Sequence, residues 1–90
     1  MVLKWRFYWF YKSLIMKEIK SLDYKKASDI NLEYPILEVY DDKEMLMDIE
    51  ITDSKELKFN IYKHNNDLKL DLKLLQEIVN KAEEFYNKEV

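Results

Sequence analysis

The chain reads as an α+β domain: an antiparallel β-meander of three to four strands, packed on one face by a C-terminal amphipathic helix. An aromatic strand or helix at the N-terminus completes the core. Two patterns carry this reading. Residues 36–63 alternate apolar and polar side chains with the period of two that a half-buried strand requires. Residues 71–88 repeat apolar side chains at helical spacing behind a capping residue. The chain also lacks glycine altogether, so phosphate-cradling loops, which need a bare backbone beside the ligand, are excluded.

Ninety residues make one domain, 1–90, near the lower limit for a single hydrophobic core. Three segments compose it: a basic aromatic segment 1–28, the meander 36–63 and the helix 71–88. With 48% hydrophobic and 37% charged residues, the composition is that of a folded soluble protein. No cysteine is present, so neither disulfides nor thiolate metal sites enter the argument. Charge is polarised along the chain. Seven bases against two acids leave +5 over residues 1–28, and eight acids against two bases leave −6 over residues 38–56.

The opening VLKWRFYWFYKSLIM fits two periods. As a strand it places Trp5, Phe7, Trp9 and Tyr11 on one face and Lys4, Arg6, Tyr8, Phe10 and Lys12 on the other. As a helix it clusters Leu3, Phe7, Phe10, Tyr11 and Leu14, with an apolar arc around most of the circumference. The favoured reading is a strand over 3–11 and a helix over 13–27 that turns Leu14, Ile15, Ile19 and Leu22 inward. The longest uncharged run within Lys4–Lys12 is Phe7 to Tyr11. That falls short of the roughly 7–15 apolar residues of a signal core and the roughly 20 of a membrane span. A cytoplasmic location follows as the expectation, with peripheral membrane contact the minor alternative. Met16 is an alternative start.

Residues 23–35 read as a connection, because Pro35 forces Tyr34 into extended backbone. Strands follow at 36–40, 45–52 and 57–62, joined by turns at Asp41–Lys43 and Asp53–Glu56. Met45, Met47, Ile49, Ile51, Leu57, Phe59 and Ile61 form the inward face. Without glycine, any positive φ falls to Asn or Asp, with Asn31, Asn65 and Asn66 the obvious positions. Leu68–Leu70 adds a short fourth pairing. Asp71 then suits an N-cap, and Leu74, Leu75, Ile78, Val79, Ala82, Phe85 and Tyr86 make the stripe that covers the inward sheet face.

Catalytic chemistry finds no foothold. His64 is the single histidine, so the usual histidine-rich zinc site cannot form. Pairing it with Ser13, Ser21, Ser28 or Ser54 gives no nucleophile-elbow context, and a solvated turn histidine is expected. Asp48 and Glu50 share one strand face, but acid–base work needs an enclosure that separates their pKa values. Asp41, Asp42 and Glu44 lack the glycine and ligand spacing of a calcium loop, and no cofactor or metal is expected. The basic aromatic N-terminus has the composition of a stacking platform, yet the acidic middle repels a phosphate backbone. What remains is the outward face: Glu38, Tyr40, Asp48, Glu50 and Tyr62, with Asp41, Asp42 and Glu44 at the adjacent turn. Tyrosine beside charge suits a protein interface. Asp48 and Glu50 are expected to point to solvent.

The segments PILEVYDDKEMLMDIEITDSKELKFNIYK and LDLKLLQEIVNKAEEFY resemble, over about residues 34–88, the meander-plus-helix body of small acidic bacterial immunity proteins. Those proteins are encoded beside polymorphic or contact-dependent toxins. The resemblance implies a non-enzymatic inhibitor that covers the active site of a cognate toxin, such as a basic nuclease-type domain, with an acidic surface. Phage anti-defence inhibitors share this style. A small structural or regulatory domain with another partner is the alternative.

Overall fold

A computed structural model describes residues 17–64 and 67–90. Among the described residues the strands are β1 (Lys17–Glu18), β2 (Asp23–Ala27), β3 (Ile36–Asp41), β4 (Glu44–Ile51), β5 (Leu57–Ile61) and β6 (Leu68–Lys69), followed by the helix α1 (Leu72–Glu89). The meander is a four-stranded antiparallel sheet in the order β2-β3-β4-β5. One rung fixes its phase: Lys26 lies opposite Leu37, Leu37 opposite Ile49, and Ile49 opposite Phe59. The face containing this rung carries Leu37, Val39, Met47, Ile49 and Ile51, all buried in one cluster with Ile78, Ala82 and Phe85 of α1. The α+β architecture read from the two periodicities is the architecture of the chain.

Two hairpins hold the register without glycine. Between β3 and β4 only Asp42 and Lys43 lie outside the Asp41–Glu44 pair, and Asp42 takes φ 56°, a left-handed conformation that a short polar side chain tolerates. In the next hairpin the left-handed residue is Lys55, at φ 66°, where a Cβ costs about 1–2 kcal/mol. The closure around it is dense. Thr52 donates its N–H to the Glu56 carbonyl at 2.9 Å, Lys55 N–H donates to the Thr52 carbonyl at 2.8 Å, and Glu56 N–H donates to Thr52 Oγ1 at 3.0 Å. A three-residue loop with its last residue left-handed matches strand twist, and this geometry takes precedence over side-chain preference. Asn31 does not have positive φ; it donates its N–H to Asp29 Oδ1 at 2.9 Å in the β2–β3 connection. Asn65 and Asn66 lie outside the described residues.

The N-terminal expectation needs correction. Residues 17–27 are not helical: they form β1 and β2. Leu22, expected inward, does pack against the core cluster, and so does Tyr24, which was not expected to. Strand geometry wins because β2 pairs with β3 along all five of its residues. It also places Tyr24 and Lys26 toward α1. Tyr24 donates its hydroxyl to Glu77 at 2.9 Å, Lys81 Nζ lies 5.7 Å from the Tyr24 ring centre, and Lys26 pairs with Glu89 at 2.7 Å. Burial, then the Glu77 bond, push the Tyr24 phenol well above its ordinary pKa. The strand expected at 3–11 and the first residues of the expected helix lie outside the described residues. Leu68–Lys69 also pairs differently from expectation. It runs parallel to β1, with Lys17 opposite Leu68, and the fourth strand of the meander is β2.

Asp71 caps α1, its carboxylate accepting the Leu74 N–H at 2.8 Å. The buried stripe is narrower than the apolar one. Ile78, Ala82 and Phe85 are buried, whereas Leu75 and Val79 are 46% and 47% exposed, and Phe59 and Ile61 on β5 are also exposed. The helix thus lies over β2–β4 and leaves the β5 edge uncovered. Leu46, whose place between Met45 and Met47 puts it on the outward side of the alternation, is buried at 1% exposure, and Ile19 at 3%; neither belongs to the main core cluster.

Candidate functional site

The face opposite α1 is assembled by register. Glu38 lies opposite Asp48, and Asp48 opposite Asn60; Glu50 lies opposite Lys58. Three carboxylates from two adjacent strands therefore meet at the centre of the sheet. Lys25 stands opposite Glu38 on the outer strand β2, so a lysine borders the acids at each edge. Like charges on directly opposed strand positions repel, and the chain offsets this with donors. Asn60 reaches both acids of β4, its Nδ2 donating to Asp48 Oδ1 at 2.8 Å and to Glu50 Oε1 at 3.0 Å. Tyr62 donates its hydroxyl to Asp48 Oδ2 in a short hydrogen bond. Tyr40 donates to Glu38 Oε1 at 3.1 Å.

These donors place the acids differently from the solvated arrangement expected of them. Asp48 is buried, at 9% exposure, with each carboxylate oxygen bonded. Charge-assisted bonds of this kind are stronger than neutral ones and make burial of a carboxylate tolerable. Glu38 and Glu50 remain half-buried at the surface. The proximity of the carboxylates raises the tyrosines: Tyr62 is pushed up to about 12, first by its bond to Asp48 and then by burial and the charges of Asp48, Glu38 and Glu50. Tyr40 moves in the same direction through its bond to Glu38. Both phenols are therefore neutral donors at any physiological pH.

The acids of the β3–β4 turn belong to a second network. Lys17 bridges Asp41 at 2.9 Å and Glu44 at 3.0 Å. His64 Nδ1 donates to Glu44 Oε1 at 2.8 Å, while its Nε2 lies 3.4 Å from the Leu46 carbonyl. The His64 bond first, and Lys17 second, hold the Glu44 carboxyl below its ordinary range, while Asp41 and Glu44 raise Lys17. His64 is thus not the solvated turn residue expected: its side chain is 8% exposed and joins the residues after β5 to the start of β4. Asp42 stays exposed at the hairpin tip.

Of the residues proposed from sequence, the structure brings together Glu38, Tyr40, Asp48, Glu50 and Tyr62. It diverts Asp41 and Glu44 into bonds with Lys17 and His64. Sequence reasoning missed Asn60 as the residue that joins the two acids. Its period-two position beside Tyr62 was the available signal, but its partners lie 10 and 12 residues away. Among the described residues no group of three or more His, Asp or Glu side chains is arranged to hold a metal ion. No described helix is long and apolar enough to cross a membrane. Comparison with known protein families, curated proteins and solved structures finds no match for this chain.

Proposed function

We propose that this chain is a non-enzymatic binding protein that presents its acidic, tyrosine-bearing sheet face to a basic protein surface. In this reading it is an inhibitor of the immunity type, covering the active site of a toxin. One observation carries the proposal: Glu38, Asp48 and Glu50 are gathered on neighbouring strands and held in place by Asn60, Tyr62 and Tyr40. A set of carboxylates fixed before contact loses little side-chain freedom on binding. Its field steers a cationic partner and sets the orientation of encounter. Tyr62, 41% exposed beside the acids, supplies the amphipathic contact area typical of interface anchors. The resemblance to immunity proteins and the open sheet face, which encloses no reacting group, support the same reading.

The variant that tests it is Glu38→Lys with Glu50→Lys. Asp48 is left intact because its bonds to Tyr62 and Asn60 make it part of the fold. Binding kinetics are measured against the product of the adjacent gene, or against a basic nuclease-type domain, at low and moderate salt. The double variant should fold normally and associate at least about tenfold more slowly at low salt, with the wild-type rate falling steeply as salt rises. Tight, salt-insensitive binding by the folded double variant would place the interface elsewhere and overturn the proposal.

A further inference from the structure

The four-stranded sheet has two edges, β2 and β5, and they are built differently. β2 (DYKKA) carries Asp23, Lys25 and Lys26, and its Tyr24 and Lys26 are bonded to α1. β5 (LKFNI) carries a single charge, Lys58, and two of its apolar side chains stand in solvent: Phe59 is 42% and Ile61 70% exposed. The phase of the hydrogen bonds decides what this edge can do. Tyr62 donates its N–H to the Leu46 carbonyl at 3.1 Å, and Thr52 donates to the Glu56 carbonyl at 2.9 Å. Both pairs continue the β4–β5 register, in which Asn60 lies opposite Asp48 and Lys58 opposite Glu50. Bonded and non-bonded pairs alternate along an antiparallel ladder, so Glu56, Lys58, Asn60 and Tyr62 turn their backbone groups toward β4. Leu57, Phe59 and Ile61 turn theirs outward, to an edge that no strand among the described residues pairs. Their side chains stand on the face of Ile49 and Ile51, which they oppose across the ladder.

Free N–H and C=O groups beneath apolar side chains form a template for one more strand. The strand this template fits is a second copy of itself. Turned antiparallel about Phe59, that copy sets Phe59 opposite Phe59 and Leu57 opposite Ile61, which is the phase in which outward-facing groups bond. The outward N–H and C=O groups of Leu57, Phe59 and Ile61 are then satisfied in both copies, and the two-fold arrangement closes on itself. Side chains agree with it on both faces. On the apolar face Leu57, Phe59 and Ile61 meet only one another. On the acidic face Lys58 falls opposite Asn60 of the second copy, so the one charge of the strand is not set directly against its own kind, which would be destabilising. The acids of β4 are kept apart as well. Two β5 strands lie between the two β4 strands, so at about 4.8 Å per strand the clusters stand about 14 Å from each other. That exceeds the screening length of about 8 Å at physiological salt. We infer that the chain forms a dimer joined β5 to β5, which makes its two four-stranded sheets continuous. The edge and the acidic face are different surfaces, so this inference goes beyond the proposed function and is tested apart from it.

The test uses the full chain. Sedimentation equilibrium of the wild type should show monomer and dimer and no larger species, because the β2 edge of each copy carries charges that discourage further pairing. Ile61→Pro deletes an outward N–H that β4 does not use, at a side chain already 70% exposed. It should keep the wild-type circular dichroism and weaken association at least about tenfold, since the symmetry removes the bond twice. Phe59→Cys, in a chain without native cysteine, should give a disulfide-linked dimer on mild oxidation. The two Cα atoms of that pair stand about 5.5 Å apart in such a ladder, within disulfide reach. Lys25→Cys, on the β2 edge, is the control and should not cross-link. A wild-type chain that stays monomeric up to about 1 mM would overturn the inference and leave the edge to a strand of other origin. Unchanged association of folded Ile61→Pro would overturn it too, as would equal cross-linking at positions 25 and 59. Should Ile61→Pro fail to fold, the two cysteine variants still decide the matter.

Discussion

Asp48 shows how a single side chain can be part of both the fold and the acidic sheet face. Its oxygens accept from Asn60 and Tyr62, and without those donors a carboxylate at 9% exposure would be expensive to bury. Tyr62→Phe removes one of them and should destabilise the chain by about 1–2 kcal/mol in urea denaturation. The pH dependence gives a second reading of the same bond. The Tyr62 phenol is raised from 10 to about 12, so the folded chain keeps a proton that the unfolded chain has lost. Its contribution to stability is complete below pH 10 and disappears as pH rises from 10 to about 12. The stability difference between wild type and Tyr62→Phe should therefore shrink across that window; a difference that grows there would show that the bond is not the cause.

At the scale of elements, α1 and the sheet bury each other's apolar faces in one cluster. Ile78, at 3% exposure, sits in the middle of the buried stripe, while Asn80 is exposed. Ile78→Asp places an unpaired carboxylate against Val39, Ile49 and their neighbours in the core cluster, a change costing several kcal/mol. A domain of this size has about 5–15 kcal/mol in total. Ile78→Asp should lower the melting temperature severely and Asn80→Asp hardly at all; the reverse order would show the helical phase to be wrong. The strand β2 illustrates the opposite relation between sequence and element. Asp23, Lys25 and Lys26 are poor strand formers, yet edge strands often carry such charges, since they discourage pairing with other chains. Only the partner strand β3 makes this segment extended.

Across the whole molecule, residues 17–19 join the β3–β4 turn to β6. Lys17 bridges Asp41 and Glu44, β1 pairs with β6, and Ile19 is buried at 3% exposure, its N–H donating to the Lys69 carbonyl at 2.9 Å. The charge polarity visible in the sequence thus becomes an internal attraction as well as a surface field. Ile19 should act as the apolar anchor of this junction. Ile19→Ala is expected to cost about 2–5 kcal/mol, as truncations of buried isoleucine do, measured as a shift of the urea midpoint with unchanged slope. A change below about 0.5 kcal/mol, the range of surface substitutions, would mean that β1 does not stabilise the body of the protein.

The sequence by itself determined the meander, the helix, the Asp71 cap and the outward acids Glu38, Asp48 and Glu50. Each of these follows from local periodicity or from a cap that acts within one helical turn. Tertiary structure decided the rest. Residues 23–27 became a strand because β3 offered them backbone partners. Leu75 and Val79 were left exposed because α1 lies toward β2, where Tyr24 and Lys26 bond Glu77 and Glu89. Asp48 became buried because Asn60 and Tyr62 reached it across a strand pair. The turn acids acquired Lys17 and His64 as partners from 27 and 20 residues away. Periodicity states which side chains share a face; it does not state which distant segment will meet that face. That choice is made by long-range pairing, whose free energy depends on all the contacts at once and is not carried by any local window of the chain.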